Sequence, residues 1–451
     1  DVYKRQLNIL AFSSSALSFD GQAGTPFTTL PSSSAGLDSF VNKIGDAEGI
    51  TGTLRSVGSV SGKGLTAADD QNSCAAKTVG QLANVNGICP EAPAMGGTYQ
   101  VAGAALYGNT TKIRSPATPP ADLNKVENAL KVKTMAASLS GGAPRIDVPV
   151  PGTNPKKYVY ITPESVQGGG KVSAPLTFAS ISSGPTYGAF IVTWNDILMG
   201  GDYDMDITGF LRYDLIANAS SPSGWDIKIT TDIPGVCGGA AGTHGFSVIG
   251  VQKNGANANG RYLTHQHGGG SSTFSLLSGM PSTSEYLCGD TAYQNTILTG
   301  TTKYKDTVCS VTGNGATGDP TIPTLANYCT VKNADYLVGM TFNMVGETDA
   351  LIKDPLWYAG KYGSFKSSTK NSDGTYSDVL MPSTQDTWDS VRADGSIGSD
   401  GVPDGYFLAR RPELLEAQLR YALDAAAKNS NAAPAISSAQ LVANGYKYVV
   451  K

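Results

Sequence analysis

Ala189-Phe190-Ile191-Val192-Thr193-Trp194, Phe210-Leu211-Arg212-Tyr213 and Trp225-Asp226-Ile227-Lys228-Ile229 read as three successive β-strands. Aromatic and β-branched side chains suit a pleated, half-buried surface, and apolar residues recur with a period of two. The same texture begins at Ile146, where Ile146, Val148 and Val150 alternate. Tyr158-Val159-Tyr160-Ile161 follows after Gly152 and Pro155, and the pattern runs to about Phe342. Residues 143–345 are therefore expected to form an antiparallel β-domain, a sandwich.

Helical patterns flank this block. Leu37, Phe40, Val41 and Ile44 stand at i, i+3, i+4 and i+7, which predicts a short amphipathic helix. Val79, Leu82 and Val85 suggest another, Tyr99 to Tyr107 is small and apolar enough for a buried helix, and Ala129 to Leu139 reads as a strand. Residues 7–142 thus mix helix and strand. Beyond the β-domain, Asp354-Pro355 has the form of an N-cap followed by the first helical position, with a stop near Gly363. Pro412 opens a further helix with an apolar stripe at Leu415, Leu419, Ala422, Leu423 and Ala426. The expected class is α+β, mainly β. Residues 346–430 form a helical segment carrying an aspartate-rich loop, and 431–451 form a linker and the first strand of a further unit. Asp1 to Gln6 reads like a translated sequencing adapter and is set aside, and the chain is taken as a fragment of a longer protein.

Composition narrows the function. The 451 residues carry 33 bases and 37 acids, a net charge of -4, so no basic excess is available for a nucleic-acid backbone. Hydrophobic residues at 40% suffice for a core, and no run approaches the roughly 18 apolar residues of a membrane-spanning helix. Six cysteines without a CxxC pair favour disulfides in an oxidising compartment. Proximity suggests Cys74–Cys89 and Cys309–Cys329, leaving Cys237–Cys288.

The strongest chemical signal is the stretch from Asp373 to Asp404, with seven aspartates against one base, Arg392. Such a run repels itself unless something neutralises it. Calcium takes oxygen ligands from short carboxylates spaced through a glycine-bearing loop. Asp394, Asp400 and Asp404 are the expected calcium ligands, with Asp389 in reserve; a solvated loop with aspartates at turn starts is the plainer alternative. Asp202, Asp204 and Asp206 form a second, partial motif for calcium, or a polar strand edge. His265 and His267 could place two imidazoles together for zinc, but Gly268-Gly269-Gly270 follows and a polar loop is the simpler reading. Gly58 to Lys63 and Gly168 to Lys171 lack the Ser or Thr of a phosphate loop, and no G-x-S-x-G elbow occurs. No enzyme is expected. The rival reading is a secreted hydrolase using Asp202, Asp204 and Asp206 with Asp214, and a third is a generic cell-surface spacer.

Several blocks together resemble the PilC/PilY family of type IV pilus tip-associated proteins. They are Cys89-Pro90-Glu91-Ala92-Pro93 with Gly97-Thr98-Tyr99, Val132-Lys133-Thr134 leading to Pro144-Arg145-Ile146, and Thr186-Tyr187-Gly188-Ala189-Phe190 through Gly200 to Asp206. The most specific are Leu351-Ile352-Lys353-Asp354-Pro355-Leu356-Trp357-Tyr358-Ala359, Trp388-Asp389 and Asp400-Gly401-Val402-Pro403-Asp404-Gly405-Tyr406-Phe407. The blocks span about residues 74–451 in the family's order, and the first 70 residues offer no such motif. The resemblance implies the C-terminal part of a von Willebrand A-like α/β region in 7–142 and a β-propeller starting near the chain's end. It implies a non-enzymatic role in pilus biogenesis, adhesion and calcium-dependent twitching motility. Implied partners are minor pilins or the pilus tip and a host or abiotic surface, with export through the periplasm to the cell surface. Two departures stand out. The A-type domain's Asp-x-Ser-x-Ser motif is missing, and Arg411-Pro412 stands where the family usually has Asn-Pro.

Overall fold

A computed structural model describes residues 6–13, 30, 36–62, 74–89, 96–114, 118–138, 145–167, 171–172, 174–195, 207–236, 242–267, 274–280, 338–347, 351–392, 394–408, 441–443 and 446–448. The chain opens on β1 (Leu7–Ser13), α1 (Leu37–Ala47), the hairpin of β2 (Leu54–Val57) and β3 (Ala75–Thr78), α2 (Gln100–Thr110) and β4 (Val132–Ser138). The predicted helix 37–44 is α1, and the four residues that defined its stripe are all buried. Where Val79, Leu82 and Val85 suggested a helix, only one 3-10 turn forms, at Leu82–Asn84. The three apolar residues are buried there all the same, in the core that α1 and α2 share.

The β-domain follows. Its strands are β5 (Ile146–Pro149), β6 (Tyr158–Gln167), β7 (Lys171–Val172), β8 (Ala174–Gly184), β9 (Tyr187–Asn195), β10 (Ile207–Ala217), β11 (Trp225–Val236), β12 (Gly242–Ile249), β13 (Val251–Lys253), β14 (Ala256–Asn257), β15 (Gly260–His267), β16 (Phe274–Leu276) and β17 (Val338–Met344). They build two antiparallel sheets. One has seven strands in the order β14-β13-β17-β11-β10-β9-β8; the other runs β16-β15-β12-β6-β5, with β7 on β6. Ile161, Phe246 and Val248 of the second sheet share one core with Ile227, Ile229 and Phe342 of the first. Alternation reports this burial directly, because successive side chains point to opposite faces.

The last segment departs from expectation. Residues 351–408 do not form a separate joint beyond the β-domain; they return to the opening unit. The helix α3 (Pro355–Ser364) packs on α2 and β4, followed by a hairpin of β18 (Ser368–Lys370) and β19 (Tyr376–Asp378). Then β20 (Tyr406–Leu408) pairs in parallel with β4, opposite β1, giving a three-stranded parallel sheet β1-β4-β20. Residues 145–347 are thus an insertion into an α/β unit built from the segments before it and from residues 351–408 after it. The exit is marked by two bridges, Glu347 on Tyr158 and Leu351 on Ser56. Local pattern cannot reveal such a return, since a parallel pair takes its partner from any distance. A close approach makes it possible: a Cβ on Gly363 would lie 2.8 Å from the Cβ of Thr134 on β4. Near the chain end, β21 (Leu441–Ala443) and β22 (Tyr446–Tyr448) form an antiparallel pair. The helix expected after Pro412, the linker at 432–438, and Cys237, Cys288, Cys309 and Cys329 lie outside the described residues. The described part is mainly β, with antiparallel sheets and three α-helices.

Candidate functional site

The aspartate-rich stretch lies over α3, and its placement starts at the helix cap. Asp354 accepts a hydrogen bond from Leu356 N at 2.6 Å, and Pro355 occupies the first helical position, as the sequence predicted. The cap orients the helix so that Tyr358 and Tyr362 enter the core while Trp357 faces the loop. Tyr358 meets Tyr99 edge-on at 5.9 Å, and Trp357 meets Trp388 of the loop at 5.8 Å. Both Trp357 and Tyr358 are therefore anchors.

A cation fills the space between helix and loop. Lys361 Nζ stands 4.1 Å from the centroid of Trp388 and 5.4 Å from those of Trp357 and Tyr362. It also donates to Glu48 Oε1 at 2.6 Å, beside Tyr362, whose hydroxyl donates to the same oxygen at 2.6 Å. Burial, followed by the Glu48 charge, pushes the Tyr362 hydroxyl well above its ordinary pKa. An ammonium over indole faces adds cation–π attraction, so α1, α3 and the loop are tied at one point.

The four carboxylates expected to share a calcium ion do not converge. Asp389, 1% exposed, receives Asp400 N at 3.0 Å on one oxygen, and Gly401 N at 2.8 Å and Gln385 Nε2 at 2.7 Å on the other. Asp404 receives Ser390 N and Val391 N, each at 3.0 Å, and Ser390 Oγ at 2.7 Å. Asp394 and Asp400 each close their own turn, on Ser396 N and Val402 N at 2.9 Å. The hydrogen bonds from Ser396 hold the exposed Asp394 carboxyl below its ordinary pKa. Asp389 and Asp404 thus have both oxygens bonded to N–H or O–H donors, while Asp394 and Asp400 each place one oxygen in their own turn. Among the described residues, no group of three or more His, Cys, Asp or Glu side chains could hold a metal ion.

The expected self-repulsion is met by lysines from elsewhere in the chain. Asp378 pairs with Lys131 at 2.8 Å and Lys112 at 3.8 Å. Lys131 is fully buried and also donates to Ser367 O at 2.7 Å. Lys133 lies mostly buried: desolvation lowers its pKa, with Asp404 and Glu127 pulling it back up. These bases sit more than 230 residues before the aspartates they meet, so a window over residues 373–404 could not show them.

The remaining predicted positions are simply placed. Cys74 and Cys89 are bonded, with Cα atoms 5.7 Å apart, as proximity suggested. They are buried against Ile249, Tyr160 and Leu351, where the α/β unit meets the β-domain. Asp202, Asp204 and Asp206 lie outside the described residues. Asp214, their partner in the hydrolase reading, is held by Arg212 at 2.7–3.1 Å. His265 is buried; its strand neighbour across the sheet is His244, and its Nδ1 lies 2.7 Å from Thr264 Oγ1.

Residues 3–108 match the family model described as PilY1 homolog, second domain. The match takes in the opening stretch for which sequence reading offered no motif. The chain is 24% identical over 333 residues to the type IV pilus biogenesis factor PilY1 homolog of Xylella fastidiosa (strain Temecula1 / ATCC 700964), covering 68% of this chain and 19% of that protein. It therefore spans about a fifth of the length of the curated relative it matches. No solved structure gives a significant match. Domain model and relative agree with the motif resemblance, and the chain is PilY1-like.

Proposed function

We propose that this protein acts in type IV pilus biogenesis as a non-enzymatic component of the cell surface or pilus. The observation that carries the reading is the 333-residue similarity to a pilus biogenesis factor. The architecture is in keeping with it. A parallel α/β unit carries a large antiparallel insertion, a common way to present a surface on a stable frame. The buried Cys74–Cys89 bond suits export to an oxidising compartment. No helix among the described residues is long and apolar enough to cross a membrane. Attachment through minor pilins or the pilus tip belongs to the proposal. Attachment to a host or abiotic surface, and twitching motility, belong to the same proposal. The test is an in-frame deletion of the gene in its source bacterium, with surface pili counted by electron microscopy. Loss of pili, restored by the full-length gene, is the expected result; normal piliation and twitching in the deletion strain would defeat the reading. Restoration by a gene lacking residues 145–347 would assign assembly to the α/β unit and leave attachment to the insertion.

A further inference from the structure

The outer face of the six-stranded sheet carries side chains in rows across β6 and β12. Tyr160 stands opposite Ile249, Thr162 opposite Ser247, and Glu164 opposite Gly245. The first row packs on Cys74, Cys89 and Leu351 of the α/β unit. The next two rows are polar and yet closed off: Thr162 and Ser247 are 0% exposed and Glu164 is 4% exposed. Glu164 Oε1 and the two hydroxyls have no hydrogen-bond partner. A buried carboxylate with an oxygen lacking any donor resists ionisation, because water is the solvent it has lost.

The surrounding charges among the described residues do not undo this. From β15, Arg261 stands across from Ser247 and diagonal to Glu164. It favours the charged form, as does Ser247, whose oxygen lies close by but outside bonding geometry. Gly245 adds no side chain, since a Cβ there would lie 1.9 Å from Tyr262 O. On β5, Asp147 is paired with Arg145, which covers the Tyr160 ring at 5.0 Å. From the β2–β3 hairpin, Lys77 Nζ is turned to the carbonyls of Val57 and Gly58, and Arg55 donates to Gly49 O at 3.2 Å. Burial dominates and raises the Glu164 carboxyl to about 7.

We propose that Glu164 is a proton-operated latch on the covered outer face of the six-stranded sheet, two rows along from the residues that meet the α/β unit. Protonated, it leaves the β6–β12 face dry and packed; ionised, it draws water into that face and loosens the packing. The folded state holds the proton more tightly than the unfolded state, so the latch is fully set below the unfolded value of 4.5 and is released as pH rises through about 7.

Hydrogen exchange on the full chain, corrected for the intrinsic pH dependence of amide exchange, tests this. Between pH 6 and pH 8, protection in 158–167 and 242–249 should fall about tenfold relative to 225–236 and 338–344 of the opposite sheet, the change expected for one unit beyond the midpoint. Glu164→Gln, which stays neutral, should remove the fall. Arg261→Met should move the midpoint to higher pH, because it removes the cation that favours ionisation. An unaltered profile in Glu164→Gln, or equal loss of protection in both sheets, would overturn the latch. Should that variant not fold, an unmoved midpoint in Arg261→Met overturns it instead.

Discussion

Asp389 and Glu164 are carboxylates buried to nearly the same degree, 1% and 4% exposed, in two regions that treat them oppositely. In the loop over α3, Asp389 gathers two backbone N–H groups and an amide, and its charge holds the loop closed. On the outer face of the six-stranded sheet, Glu164 has an oxygen without any donor, and burial raises its pKa. The loop supplies donors because its backbone is irregular, leaving N–H groups free of a ladder. A sheet commits its N–H groups to neighbouring strands and has none to offer a side chain on its face. Burial alone therefore does not decide what a carboxylate does; the local backbone does.

The comparison breaks most readily at Asp389. Asp389→Ala strands the N–H groups of Asp400 and Gly401 in a buried site, and a loss of about 3–4 kcal/mol in urea unfolding is expected, with Asp389→Asn losing less. A loss below about 1 kcal/mol would mean that water replaces the carboxylate and that the loop is wetter than Asp389's burial implies.

The next effect is the pH slope at Glu164. Its folded pKa of about 7 lies above the unfolded 4.5, so stability should decline as pH rises between those values, by about 3 kcal/mol at most. Glu164→Gln should flatten that decline in denaturant titrations. Asp389→Asn, measured over the same pH range, should leave it in place.

A smaller change is expected at Lys361, which ties Trp357 and Trp388 to Glu48. Lys361→Met keeps the stem packed but removes the charge, leaving Glu48 with only the Tyr362 hydroxyl; a loss of about 1–2 kcal/mol is expected. Trp388 fluorescence should shift to the red as the loop loosens.

The smallest effect concerns calcium. Since both oxygens of Asp389 and Asp404 are occupied by N–H and O–H donors, millimolar calcium should leave the thermal midpoint unchanged. A rise abolished by Asp400→Ala would restore the loop as a calcium site and contradict the hydrogen-bonded arrangement. A rise that survives Asp400→Ala would instead direct attention to Asp202, Asp204 and Asp206.

Much of the local structure was legible in the residues. The stripe Leu37, Phe40, Val41, Ile44 specified α1, Asp354-Pro355 specified the start of α3, and alternation marked the strands of the insertion, because each depends on neighbours within a few residues. Cys74 and Cys89 were close enough in sequence to be paired. What the aspartates do was only half legible. Their turn-forming habit is local, and Asp394 and Asp400 follow it. The approach of Lys131 to Asp378 and of Lys133 to Asp404 is not local, and a window over the aspartates does not contain those lysines.

The sequence by itself determined α1, α2, the start of α3 and the strands of the insertion, the main-β class and the resemblance to PilY1-like proteins, since periodicity, caps and motifs are written along the chain. Only the tertiary structure decided that residues 351–408 return to β4, that the β-domain is an insertion, and that Glu164 is buried with one oxygen lacking any donor while Asp389 is buried with three donors. Those outcomes depend on which distant surfaces meet. Burial and charge pairing act through space, and no spacing along the chain encodes them.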